Sequence, residues 1–196
     1  FIHIYRDVRG VVNSAINARR PYFPNEKMGR GDVVHMAFKW KRYIRYVSWL
    51  SKRIDIRNIQ YEAFCSNPEP VVDSLFSEIG ADYSSSIIDN GLEIRGQEQT
   101  IHRLVESAPQ TERIMAWTNG LSELHGYTVE RISAKEMSAL GYSPYFMQRI
   151  PALKGFCFLL FASIVYLRNS TAYYYQRVKY YSRNMGKLKN RLKWMR

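Results

Sequence analysis

Apolar and polar positions along the chain predict an alternation of short strands and helices. Phe1-Ile2-His3-Ile4-Tyr5 is a short, mostly apolar run of the kind that forms a buried parallel strand. Arg6–Gly10 reads as a polar turn, and Val11–Arg19 as a short helix opening near Gly10. Residues 21–32, with Pro21, Pro24, Gly29 and Gly31, predict a loop. From Val33 to Lys52 the spacing of Val34, Phe38, Tyr43, Tyr46, Val47 and Leu50 predicts a long helix. Ile54–Tyr61 is a second strand. Asn67 and Pro68 suit the N-cap and first turn of a helix carrying Val71, Val72, Leu75, Phe76 and Ile79 and stopping at Gly80. Residues 81–112 are polar and irregular, as expected of loops lining a cleft. Thr128–Leu140 reads as an amphipathic helix ended by Gly141-Tyr142 and Pro144. This order is an α/β pattern, which places functional loops at the C-terminal ends of the strands.

From Pro151 the pattern changes. Gly155–Leu167 is an apolar stretch of 13 residues, shorter than the roughly 20 of a membrane span. Beyond it Tyr174, Val178, Tyr181, Met185, Leu188, Leu192 and Met195 recur at steps of four and three, one apolar stripe on an otherwise basic helix. Gly186 weakens that helix. Charge sharpens the contrast. The net charge is +12, but residues 153–196 hold ten Lys or Arg and no Asp or Glu, so residues 1–152 carry only +2. The chain therefore divides into a domain, 1–150, and a helical tail, 151–196. The tail either packs on its own domain or a partner helix, or lies on an anionic membrane surface through residues 153–196; its charge favours the membrane. Its Lys and Arg are interleaved with Tyr but carry no recognised nucleic-acid motif, so no nucleic-acid partner is expected. Cys65 and Cys157 are far apart and argue against a disulfide framework or a zinc site. The chain starts inside the strand pattern with no initiator Met or leader, and the expectation is a C-terminal fragment of a longer protein.

The segment Ile4-Tyr5-Arg6-Asp7-Val8-Arg9-Gly10-Val11-Val12-Asn13-Ser14 is the richest in chemistry. A strand delivers Arg6 at its C-terminal end, a helix begins within a few residues, and Ser14 follows Arg6 by eight positions. A guanidinium fork, free backbone amides and a hydroxyl around one point would bind phosphate. The pattern alone equally allows a solvated Arg6-Asp7 turn with Ser14 merely in a helix.

The same residues closely resemble the 3′-phosphate motif of sulfotransferases that use 3′-phosphoadenosine 5′-phosphosulfate (PAPS). The resemblance implies that Arg6 and Ser14 hold the 3′-phosphate. Tyr61 falls where an aromatic ring lies close to the adenosine, within Ile59-Gln60-Tyr61-Glu62-Ala63-Phe64-Cys65-Ser66-Asn67-Pro68, which is similar to the family's strand and Tyr-Glu-Asp-Leu block. Glu62 matches a structural carboxylate, and Ala63 departs from the family's Asp. Phe76 to Gly80 resembles the family's next helix end. Ala116-Trp117, Leu121 and Glu130 to Gly141-Tyr142 look like the C-terminal signature of the carbohydrate (Golgi-type) branch, with Trp117 and Tyr142 as packing residues. The Gly-rich loop of the cytosolic branch has only weak candidates in Arg95-Gly96 and His102-Arg103. The Gly-x-x-Arg-Ser-Gly-Thr-like loop for the 5′-phosphosulfate has no counterpart; Met28-Gly29-Arg30-Gly31-Asp32 lacks a preceding strand. None of His3, His35, His102 and His125 has the context of a catalytic base, so none is assigned.

The resemblance implies a P-loop NTPase-like parallel sheet flanked by helices, its N-terminal strand and loop missing, with a basic helical tail added. It implies transfer of a sulfuryl group from PAPS to a hydroxyl or amine, with a carbohydrate acceptor and no metal, by a protein of which this fragment alone is inactive. Localisation would be membrane-associated: Golgi in a eukaryote, the cytoplasm or inner membrane surface in a bacterium. The alternative is a non-catalytic membrane-surface module; a kinase-like relative would need a Walker-type Lys that this segment does not show.

Overall fold

In the computed structural model, which describes residues 1–17, 19–20, 23–27, 32–82, 84 and 109–193, strand β1 (Ile2–Tyr5) pairs in parallel with β4 (Arg57–Gln60), Ile4 opposite Ile59. Parallel neighbours need a long crossover. Here it runs through α1 (Val8–Asn17), a short antiparallel pair β2 (Arg19–Arg20) and β3 (Phe23–Lys27), and α2 (Val33–Leu50). Strand β4 feeds α3 (Tyr61–Ser66) and α4 (Pro68–Ile79). Later come a 3₁₀ turn (Thr111–Arg113), α5 (Trp117–Gly120), α6 (Glu123–Ala139), α7 (Phe146–Arg149) and α8 (Ala152–Lys193). The fold is α/β, with a two-stranded parallel sheet among the described residues. Its core lies among the helices, where Val8, Val12, Ala37, Trp40, Trp117, Val129 and Met137 are buried.

Several expectations need correction. Strand β1 is not buried: Ile2 and Ile4 are 55% and 60% exposed. Side chains alternate along a strand, and only the His3 and Tyr5 face is partly covered, Tyr5 meeting the Tyr142 ring edge-on. Helix α1 begins at Val8, so Arg9 and Gly10 lie in its first turn rather than in a loop. The cause is Asp7, whose Oδ1 accepts the Arg9 amide hydrogen bond at 2.8 Å and caps the helix. Part of the 21–32 loop is strand β3. Tyr61 opens α3 instead of closing β4.

Helix α2 forms nearly where expected, capped by Asp32, which accepts from the amides of Val34 and His35. Its buried face, however, is Val33, Val34, Ala37 and Trp40; Phe38, Tyr43 and Tyr46 are exposed. Trp40 wins the inward position because its Nε1 finds the Arg6 carbonyl at 3.0 Å, satisfying the indole as it is buried. Asn67 precedes α4 and Pro68 takes the first position, but the Asn67 side chain makes no capping bond. Gly80 closes α4 in the left-handed conformation (φ 69°). Residues 81–112 fall largely outside the described residues, Arg95, Gly96, His102 and Arg103 among them; Thr111 and Glu112 belong to the 3₁₀ turn. Helix α6 starts five residues before the expected Thr128, at Glu123, because Ser122 caps it through the His125 amide.

The apolar stretch and the basic stripe are one helix, α8. Within Ala152–Ser182 an 18-residue window has a mean hydropathy of 1.3, so the helix is long and apolar enough to cross a membrane by length and composition, longer than the 13-residue reading allowed. Its first turns pack on α6 and α2, Gly155 lying against the Tyr127 ring where any Cβ would clash.

Candidate phosphate-binding site

Arg6 leaves the C-terminal end of β1 and folds back over the first turn of α1. A Cβ on Gly10 would lie 2.8 Å from Arg6 Nε and 3.2 Å from Cζ, so this approach needs glycine. Gly10 and Ser14, four apart in α1, share one face of the helix, and the Arg6 guanidinium lies over Gly10, one turn before Ser14. Two neighbours fix the head group. Its Cζ sits 4.2 Å from the Tyr61 ring centroid, Nη2 donates to the Arg113 carbonyl at 2.8 Å, and its Nε is buried with no hydrogen-bond partner among the described residues. The Nε edge is thus packed against Gly10, and the guanidinium keeps donors beyond the one that Nη2 gives to the Arg113 carbonyl. Ser14 is half-buried and makes no hydrogen bond to Arg6 or Tyr61 among the described residues.

Arg9 is the cation that cannot serve a ligand. Its Nε donates to both Asp7 oxygens at 3.0 Å, Nη2 to Asp7 Oδ2 at 2.6 Å, and Nη1 to Glu130 Oε1 at 2.7 Å. Its Cζ lies 3.9 Å from the Trp117 ring centroid. Burial alone would lower the Arg9 pKa, but hydrogen bonding and charge from Asp7, then from Glu130, outweigh it and raise it above the usual value. Glu130 also accepts from the Tyr145 and Met147 amides, each at 2.8 Å. Glu62 ties α3 to the same turn, accepting from the Asp7 amide at 3.0 Å and the Tyr142 hydroxyl at 2.8 Å. Burial first, and then the Glu62 carboxylate, push the Tyr142 phenol far above its usual pKa, so it remains a donor. Trp117 is buried edge-on to Tyr145, a packing position. The Arg-Asp-Val-Arg turn thus divides its labour: Asp7 and Arg9 anchor it, while Arg6 turns away to Tyr61 and the Arg113 carbonyl.

The structure brings Arg6 and Tyr61 into contact and sets Ser14 on the same helix face. It adds Arg113, which the sequence reading missed. Arg113 closes the 3₁₀ turn beside α3 and supplies the carbonyl that orients Arg6. Burial, then a bond to Cys65, raise the Tyr61 pKa, while the charges of Arg6 and Arg113 pull it down; the balance is upward and the ring stays neutral. No sequence signal marks Arg113, since Thr-Glu-Arg sits at the end of a polar stretch without periodicity. His3 pairs with Asn58 across the β1–β4 ladder, Nδ1 to Oδ1 at 2.9 Å.

Gly10→Ala offers a clean check of this geometry. Alanine should gain up to about 1 kcal/mol of helix propensity while displacing the guanidinium. The melting temperature should hold or rise, and affinity for the anion that Arg6 contacts should fall several-fold.

No family model matches this chain, and no curated protein matches it. Among solved structures it is similar to a "Sulfotransferase Domain from the Curacin Biosynthetic Pathway", at 12% identity and a TM-score of 0.48. The match covers 74% of this chain and 54% of that one, so the chain spans about half of that domain. What the site can hold is decided by its own residues.

Proposed function

We propose that this chain carries the part of a PAPS site that grips the nucleotide's 3′-phosphate, in an enzyme that moves a sulfuryl group to a hydroxyl or amine. The observation that carries this reading is the Arg6 guanidinium, stacked on Tyr61 and held over Gly10 with its Nε unpartnered, on the helix face that bears Ser14. A phosphate dianion accepts from the Arg6 guanidinium and the Ser14 hydroxyl, and the neighbouring charge of Arg113 adds to the field. Tyr61 covers one face of the guanidinium, holding it planar to the phosphate, and flanks the adenosine. Sulfuryl transfer is an in-line displacement, and a nucleotide gripped at its 3′ end holds the reacting sulfur in place for it. These residues therefore bind and orient; they do not exchange protons with the acceptor. A carbohydrate acceptor and the Golgi-type branch follow from the likeness of Ala116-Trp117, Leu121 and Gly141-Tyr142 to that branch's C-terminal block.

The test is calorimetric titration with adenosine 3′,5′-bisphosphate and, in parallel, adenosine 5′-monophosphate. The reading expects the bisphosphate to bind at least about tenfold more tightly, the worth of one charge-assisted hydrogen bond. Equal affinities would sink it.

A further inference from the structure

Helix α8 turns a continuous apolar stripe away from the domain. Leu153, Phe156, Leu160, Ile164 and Leu167 are 77%, 57%, 51%, 65% and 62% exposed. Gly155 and Ala162 are buried on the other side, with Phe158, Leu159 and Tyr166 partly buried against the core. At 3.6 residues per turn the two sets are centred about 145° apart. The domain is therefore fastened to one side of the helix along the very turns that are most apolar. A helix crossing a bilayer in this arrangement would carry Lys41, Arg45 and Glu136, an ion cluster packed beside it, into hydrocarbon. Lying in the plane of a membrane interface costs nothing of the kind.

The surroundings of the stripe are basic. Arg168 and Lys179 flank it on one side and Arg177 on the other, where Arg177 reaches the Tyr173 and Tyr181 hydroxyls. Tyr174, Tyr175, Tyr180 and Tyr181 are all exposed, the amphipathic rings that favour headgroup level. Between α2 and α8 opens a groove of about 540 Å³, lined by Lys39, Lys41, Arg42, Arg45, Tyr166 and Tyr174. Glu136 offsets Lys41 and Arg45, whereas no carboxylate is paired with Lys39 or Arg42 among the described residues. Tyr174 lies about 40° round the helix from the stripe's centre, so the groove opens beside the stripe.

A second copy of the chain is the competing occupant, because the stripe keeps the seven-residue spacing of a coiled-coil seam. Charge decides against it. Nine of the ten Lys and Arg in residues 153–196 lie from Arg168 onward, with no acidic residue among them, so paired tails would repel over that half. An anionic lipid surface is complementary to that excess of positive charge.

We propose that α8 docks this protein in the plane of an anionic lipid surface, with Leu153, Phe156, Leu160, Ile164 and Leu167 among the acyl chains and the Lys39–Arg42 groove on lipid headgroups. The inference is independent of the nucleotide site. It is tested by co-sedimentation of the protein with phosphatidylcholine vesicles, with and without phosphatidylserine, at low and high salt. Binding should require phosphatidylserine and weaken with salt. Leu160→Asp with Ile164→Asp should lower it about tenfold or more, both positions being exposed so that circular dichroism stays unchanged. Lys39→Glu with Arg42→Glu should reduce the phosphatidylserine dependence severalfold. Affinity for adenosine 3′,5′-bisphosphate should be the same in all these variants. Three results would overturn the proposal: binding indifferent to phosphatidylserine, bound protein that alkaline carbonate cannot release, or a dimer in solution that the Leu160→Asp, Ile164→Asp pair dissociates.

Discussion

Arg6→Ala should weaken binding of adenosine 3′,5′-bisphosphate by about ten- to a hundredfold while leaving adenosine 5′-monophosphate unaffected. The range follows from one charge-assisted hydrogen bond of about 1.5–3 kcal/mol, at 1.4 kcal/mol per factor of ten. The same substitution gives up the bond to the Arg113 carbonyl and the stack on Tyr61. Because Arg6 is only half-buried, the folding penalty should be about 1–2 kcal/mol, small enough for the protein to be purified and titrated. Arg6→Lys separates charge from shape: a lysine keeps the charge but loses the planar fork, so affinity should recover only in part. Ser14→Ala should weaken the bisphosphate about fivefold. Combined with Arg6→Ala it should cost less than the product of the two, since both groups would hold one phosphate. An Arg6→Ala protein with undiminished preference for the bisphosphate would remove the assignment.

What the sequence showed and what it hid follow from how far apart the interacting residues are. Arg6 and Ser14 were legible because their relation is local: a strand end, then steps of four along one helix. The role of Asp7 and Arg9 was not, since it depends on Glu130, 121 positions away from Arg9. Arg113 is 107 positions from Arg6 and was hidden for the same reason. Misreading the face of α2 has a different cause. Phe38, Tyr43 and Tyr46 form as good a stripe as Ala37 and Trp40, and hydrophobicity alone cannot choose between them. The choice was made by an indole that needs an acceptor and by a small residue that lets α2 approach its neighbours. In α8 both halves of the pattern were visible. Their union into one helix was not, because Arg168 and Asn169 interrupt the apolar run without interrupting the helix.

Glu130→Ala is expected to cost about 3–5 kcal/mol, the penalty for breaking one side of a buried ion pair. Glu130 is 1% exposed, so its carboxylate offsets the Arg9 charge out of solvent. Its removal leaves Arg9 with Asp7 alone and strips the acceptor from the amides of Tyr145 and Met147. Glu130→Gln should fare little better, because its amide nitrogen would face a donor wherever it replaces an accepting oxygen. Total stability of a domain this size is about 5–15 kcal/mol, so either change should shift the urea midpoint strongly or leave the protein insoluble. The paired substitution Arg9→Met with Glu130→Leu should lose much less than the sum of its parts, since it removes the buried charge together with its partner. An unchanged midpoint for Glu130→Ala would mean that the ion pair does not hold the Asp7–Gly10 turn. Under conditions where Glu130→Ala remains folded, its affinity for adenosine 3′,5′-bisphosphate should still fall. Glu130 acts there only through Arg9 and Asp7, which set the turn from which Arg6 reaches its phosphate, and the double variant should recover stability before it recovers affinity.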